Sequence, residues 1–98
     1  MKIKAIRVYQ VDLPLIEGRY TWAGGKHFVE TFDSTIVELI TDDGRKGYGE
    51  NVPLGSAYLP AFALGSRAGI AELAPHLLGQ DPTAVGRIND IMDTMLNG

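Results

Sequence analysis

From Lys2 to Leu15, apolar side chains occupy the odd positions Ile3, Ala5, Tyr9, Val11, Leu13 and Leu15, and polar ones the even positions Lys2, Lys4, Gln10 and Asp12. A period of two predicts a β-strand. Ile6 and Val8 interrupt the polar side and Arg7 the apolar side, so the middle of the strand is expected to be covered on both faces, and Pro14 should end its regular pairing. A second strand is predicted over Ser34 to Thr41, where Thr35, Ile36, Val37, Leu39 and Ile40 concentrate β-branched and aliphatic side chains. Asp42-Asp43-Gly44 supplies the residues a tight hairpin turn demands, and Arg45 to Asn51 is the return strand. Within it Gly47 and Gly49 flank Tyr48 on the opposite face; strand glycines commonly mark the close approach of another backbone or a ligand.

After Pro60 the period changes. Phe62, Gly69, Ile70, Leu73 and Leu77 recur at helical spacing, with Arg67 and Glu72 elsewhere, which predicts an amphipathic helix from Pro60 to Ala74. Pro75 costs about 3 kcal/mol in a helix interior, so the helix should stop or kink there. Asp81-Pro82 reads as a restart, with Asp as N-cap and Pro at the first helical position. Val85, Ile88, Met92, Met95 and Leu96 form the stripe of this second helix, with Gly98 as its C-cap. Three strands followed by two or three helices predict an α+β fold, a three-stranded antiparallel meander with helices packed on one sheet face.

Two stretches stand outside this periodicity. Between Ile16 and Asp33, Gly18, Gly24 and Gly25 are interleaved with Tyr20, Trp22, His27 and Phe28. Connections above about 12 to 15 residues are uncommon in a compact domain and usually serve as lids or binding loops, or are disordered. The aromatic content argues against disorder, so the stretch is expected to be a mobile flap, or else a loop whose rings cover the core. The second stretch, Pro53 to Tyr58, delivers Tyr58 between two prolines, where an exposed aromatic serves recognition or plugs the core.

Composition narrows the function classes. The 98 residues, 45% hydrophobic and 21% charged, suit one soluble globular domain or part of one. Nine basic against twelve acidic residues give a net charge of -3 and no field for nucleic acid. No apolar run approaches the roughly 18 to 20 residues a membrane span needs, and Asp12 and Pro14 interrupt any signal-like core. A cytoplasmic protein with no membrane partner is expected. The absence of cysteine excludes disulfides, thiolate metal sites and thiol catalysis.

Few constellations carry chemistry. Gly47-Tyr48-Gly49-Glu50 lacks the third glycine of a dinucleotide fingerprint, and no Walker-type Gly-Lys-Ser/Thr occurs. His27 and His76 fall on different elements without a ligand cluster around either. Asp90 and Asp93 sit a helical turn apart but off the apolar stripe, as a solvated face would have them. Asp42 and Asp43 are explained by the turn, and Glu50, ending a strand beside a loop, is read equally as a functional residue or as a partner of Arg45 or Lys46. No catalytic set emerges.

Four motifs in order, Met1 to Tyr9, Asp33 to Gly44, Gly47-Tyr48-Gly49-Glu50 and Leu78-Gly79-Gln80-Asp81-Pro82, resemble the N-terminal capping domain of the mandelate racemase/muconate lactonizing branch of the enolase superfamily. The loop Pro53-Leu54-Gly55-Ser56-Ala57-Tyr58 further resembles members acting on proline-derived substrates, hydroxyproline-betaine epimerases and hydroxyproline dehydratases. The resemblance implies that residues 1–98 are the cap of a longer enzyme, a fragment inactive on its own. The missing part is a (β/α)-barrel holding Mg²⁺ and acid-base lysines that remove the α-proton of a small carboxylate substrate. It implies further that Tyr20, Trp22, His27 and Phe28, with Pro53, Gly55, Ser56 and Tyr58, close over that substrate, while catalytic and metal-binding residues lie in the barrel. Trp22 and Tyr58 could favour a cationic ammonium by about 0.5 to 2 kcal/mol per contact. The barrel domain and a homo-oligomeric copy are the partners so implied. A stand-alone α+β binding module is the alternative.

Overall fold

The computed structural model describes residues 1–16, 18–52 and 60–96. Its elements are β1 (Ile3–Pro14), β2 (Tyr20–Trp22), β3 (His27–Val29), β4 (Thr31–Thr41), β5 (Lys46–Asn51), α1 (Pro60–Leu77) and α2 (Val85–Met95). Strands β1, β4 and β5 form an antiparallel sheet in the order β1-β4-β5, the expected meander, and β2 pairs with β3 in a separate two-stranded ribbon. The helices pack on one face of the larger sheet, so the α+β architecture stands as read from the sequence. Gly44 adopts φ +86° in the turn before β5, the left-handed geometry that its place after Asp43 anticipates.

The face of β1 that meets the helices is the one the sequence marks as polar. A register shift between Ile3 and Ala5 moves the strand by one position, and a one-residue slip sends every following side chain to the other face. Ile6 is therefore opposite Leu39 and shares with Val37, Ile70, Leu73, Ala74, Leu77 and Met92 the apolar space between sheet and helices, about 160 Å³ of it unfilled. Tyr9 and Val11 lie on the far face and stay exposed. Of the two apolar interruptions in the alternation, Ile6 thus meets the helices, while Val8 stays 38% exposed.

On the far face the carboxylate of Glu38 is buried without a covering helix. Tyr48 Oη donates to it at 2.7 Å and Tyr9 Oη at 3.4 Å, with Arg7 at 3.7 Å. The Glu38 hydrogen bond pushes the Tyr48 phenol above its ordinary value, because ionising it would lose a donor and set two negative charges together. Glu50 pairs with neither Arg45 nor Lys46 as an ion pair among the described residues; instead it accepts from the buried Ser34 hydroxyl at 2.9 Å. Gly47 and Gly49, opposite Leu39 and Val37, have no described atom within 4 Å of where a Cβ would stand, so close packing does not explain them.

Helix α1 runs through Pro75 and ends at Leu77, not Ala74. Pro75 is exposed, and it brings no N–H to the helical ladder. Leu78 N–H resumes the helical pattern to Ala74 O at 3.3 Å, and Leu77 lines the apolar space that anchors the last turn. Gly79, at φ +83°, then stops it. Asp81 does not cap α2. Its carboxylate accepts from Thr83 N–H and Oγ1 at 2.9 and 2.7 Å, closing a separate turn, and α2 begins at Val85 with Ala84 as its N-cap residue. In the stripe of α2, Ile88, Ile91 and Met92 are half-buried while Val85 and Met95 are exposed. Phe62, as a side chain, and Gly98 fall outside the described residues.

Candidate functional site

Within the stretch from Ile16 to Asp33, residues 20–29 form a hairpin. Beyond Pro14–Thr31, the last pair of β1 and β4, Leu15 N–H donates to Glu30 O at 3.0 Å, and after a short irregular passage β2 and β3 pair as Tyr20–Val29, Thr21–Phe28 and Trp22–His27. Ala23, Gly24 and Gly25 close the tip with φ of 55°, 66° and 83°, a left-handed run that two glycines make inexpensive. The aromatic ribbon of β2 and β3 thus follows the end of the β1–β4 pair, to which the Leu15–Glu30 bond joins it.

Rings hold the tip together. Trp22 stacks on His27 at 5.7 Å between centroids and 23° between planes, Tyr20 lies 6.3 Å from Trp22, and Tyr20 meets Phe32 of β4 edge-on at 6.5 Å. The Arg19 guanidinium sits 4.3 Å from the centre of the Phe28 ring and 3.7 Å from Glu30. Offset aromatic pairs contribute about 0.5–1.5 kcal/mol each beyond their buried area, which adds to the three cross-strand pairs of the ribbon. Tyr20 and Phe28 nonetheless remain about half exposed, at 49% and 48%.

Four of the eight residues read as substrate-facing, Tyr20, Trp22, His27 and Phe28, therefore share one hairpin, but Phe28, paired with Thr21, lies on the opposite face of it from Tyr20, Trp22 and His27. The other four, Pro53, Gly55, Ser56 and Tyr58, lie outside the described residues. Among the described residues no three His, Asp or Glu side chains gather as cation ligands, so this part of the chain offers no seat for the Mg²⁺ that the resemblance implies.

A polar cluster that sequence reasoning missed ties the ribbon to α1. Arg67 forks onto Asp33, with Nη1 2.7 Å from Oδ1 and Nη2 3.0 Å from Oδ2, and Nη1 also reaches the buried Thr35 hydroxyl at 3.1 Å. Gln10 Nε2 donates to Asp33 at 3.0 Å and to Asp12 at 2.7 Å. The neighbouring Ser66 accepts from Asn51 Nδ2, so adjacent residues of α1 hold the ends of two strands. The one available signal was Arg67 itself, the only charged residue between Pro60 and Ala71.

The Arg67 hydrogen bonds, and after them that of Gln10, hold the Asp33 carboxyl below its ordinary value against a smaller opposing effect of burial. A depressed folded-state pKa contributes stability that is complete above the unfolded value, about 3.9, and is lost as pH falls through the folded one. Urea midpoints of wild type and Arg67→Met should therefore differ most above about pH 4 and converge in more acidic solution. A difference that persists unchanged there would mean that the pair contributes by packing alone.

Comparison with known proteins places this architecture. Residues 24–98 match the family model described as mandelate racemase / muconate lactonizing enzyme, N-terminal domain. All 98 residues align at 64% identity with cis-3-hydroxy-L-proline dehydratase of Roseibium aggregatum, of which they span 26%. A member of the enolase superfamily from Roseovarius nubinhibens ISM, solved in complex with magnesium, superposes with a TM-score of 0.82 at 44% identity over 99% of this chain and 25% of that one. Dipeptide epimerase from Enterococcus faecalis V583, complexed with Mg and the dipeptide L-Leu-L-Tyr, does so with a TM-score of 0.82 at 31% identity over 100% of this chain and 27% of that one. The chain thus spans about a quarter of the length of its relatives. No helix among the described residues is long and apolar enough to cross a membrane. On that match over residues 24–98 and that identity, the chain belongs to the N-terminal domain family of the mandelate racemase/muconate lactonizing enzymes of the enolase superfamily.

Proposed function

We propose that residues 1–98 are the capping domain of a longer cytoplasmic enzyme that removes the α-proton of a small carboxylate substrate, and that this substrate is a cyclic hydroxyamino acid of the 3-hydroxyproline type. The observation that carries the reading is the 64% identity to cis-3-hydroxy-L-proline dehydratase across the whole chain, hairpin included. In this reading the barrel, homo-oligomeric or not, supplies Mg²⁺ and the acid-base groups, and the cap supplies cover. Tyr20, Trp22 and His27 present rings to the substrate and keep water from it, Phe28 backs the hairpin from its other face, and Pro53, Gly55, Ser56 and Tyr58 belong to the same cover. In such a dehydration the Cα–H and Cβ–OH bonds break, a C=C bond forms between the two carbons, and the hydroxyl leaves with a proton as water.

Epimerisation is the second reading, favoured by the dipeptide epimerase among the relatives of known structure. It returns a proton to Cα and releases no water. The full-length protein, given cis-3-hydroxy-L-proline and Mg²⁺ in D₂O, is expected to form the unsaturated ring product, and chelation of the metal to stop it. Deuterium at Cα of recovered hydroxyproline without that product would establish epimerisation instead. No reaction with any hydroxyproline or its betaine, while another carboxylic acid turns over, would overturn the substrate assignment. Turnover by the isolated 98 residues would overturn the capping role and favour a stand-alone module.

A further inference from the structure

The foot of the aromatic hairpin carries an electrostatic conflict. Asp12 and Asp33 stand directly opposite each other across β1 and β4, and like charges in that position push a ribbon apart. β5 pairs with β4 only between Thr35 and Ile40, so at Asp33 the sheet has already narrowed to two strands. Gln10 bridges the two carboxylates with a single amide nitrogen but brings no charge. Arg67 brings it, from a different element, by the bidentate fork that suits a guanidinium to a carboxylate. Its side chain is 22% exposed and that of Asp33 26%, so the pair is only partly open to screening by solvent.

What lies beyond that point is the hairpin. Phe32, next to Asp33, meets the Tyr20 ring, Tyr20 lies beside Trp22, and Trp22 stacks on His27. A shift at the Asp12–Asp33 pair is therefore delivered, through a continuous set of contacts, to the rings at the tip. We propose that Arg67 is a positioning residue for the aromatic hairpin: by neutralising the Asp12–Asp33 pair and tying the ribbon to α1, it sets where Tyr20, Trp22 and His27 meet the substrate. The role rests on the capping function proposed above; the closure of the ribbon by Arg67 does not.

The test uses the full-length protein and two readouts, amide hydrogen exchange by mass spectrometry and steady-state kinetics. In Arg67→Met, amides of residues 13–31 should exchange faster while those of residues 37–49 keep their wild-type rate. KM should rise about ten- to a hundredfold with a smaller change in kcat, the range that displaced positioning groups cause. Arg67→Lys, which keeps the charge but not the fork, should fall between. Adding Asp12→Asn to Arg67→Met removes the repulsion and should restore most of both the exchange protection and KM. A role limited to packing of α1 predicts no such rescue. Faster exchange throughout the sheet, or no recovery with Asp12→Asn, overturns the proposal. Faster exchange confined to residues 13–31 with KM and kcat unmoved would instead show that the ribbon is closed by Arg67 but does not serve the substrate, and would count against the capping role of the hairpin.

Discussion

Joining Arg19 to Glu30 through two glycines, so that residues 20–29 are lost, is expected to lower kcat/KM of the full-length enzyme about a hundredfold or more, because the substrate then loses the rings that orient it and keep water out. The same change should cost little stability. The tip makes three cross-strand pairs of its own, and the exposed Arg19–Glu30 ion pair keeps both its members in the shortened chain. An isolated two-stranded hairpin is marginal in water at best, so the rest of the sheet does not depend on it. The main tertiary link severed is the edge contact between Tyr20 and Phe32. Thermal unfolding should accordingly shift by a few degrees at most while activity collapses. The two measurements together decide the matter: a kcat/KM within threefold of wild type would remove the hairpin from the substrate's surroundings, and parallel losses of activity and melting temperature would make it a folding element.

That the hairpin carries the candidate site was half legible in the sequence. Tyr20, Trp22, His27 and Phe28 stood out as aromatics interleaved with glycine, but the stretch read as a loop because strands of three residues show no measurable period. Their pairing is created by ring contacts across the ribbon, which a linear pattern does not display. The face of β1 was misleading for a different reason. Its middle read as covered on both faces, whereas Ile6 meets the helices and Tyr9 and Val11 stay exposed on the far face. Pro75 was given its propensity cost without the opposing gain from Leu77, whose packing carries the helix on past it. The Asp43-Gly44 turn and the β-branched run of β4 were read correctly, because both are local. Arg67 and Asp33 are 34 residues apart. Nothing local joins an arginine on a helix to an aspartate on a strand, and only the lone charge in an apolar stretch hinted that a partner existed.

The largest expected loss of stability comes from the other end of the ribbon. Ile3→Ala should destabilise the domain by about 2–4 kcal/mol, in the range for aliphatic truncations in a core that collapses only in part. Ile3 is 4% exposed and, with Ala63, is one of two fully buried hydrophobic residues among those described, so few other side chains share its function. It also joins the start of the chain to the connection between the helices, its N–H donating to Gln80 O and its carbonyl accepting from Gly79 N–H, each at 2.8 Å. Those backbone bonds survive substitution by alanine, which confines the loss to the side chain. Ile3→Val, with one methylene fewer, should cost about 0.5–1.5 kcal/mol. Denaturant midpoints of the two variants measured side by side separate the contributions: equal midpoints would mean that the backbone junction to Gly79 and Gln80 holds the sheet to the helices without help from the buried side chain. A loss that grows with the volume removed would mean that the alternation read from the first strand ends in a true core residue at Ile3, and that the slip at Lys4 is what frees the remaining odd positions for the far face.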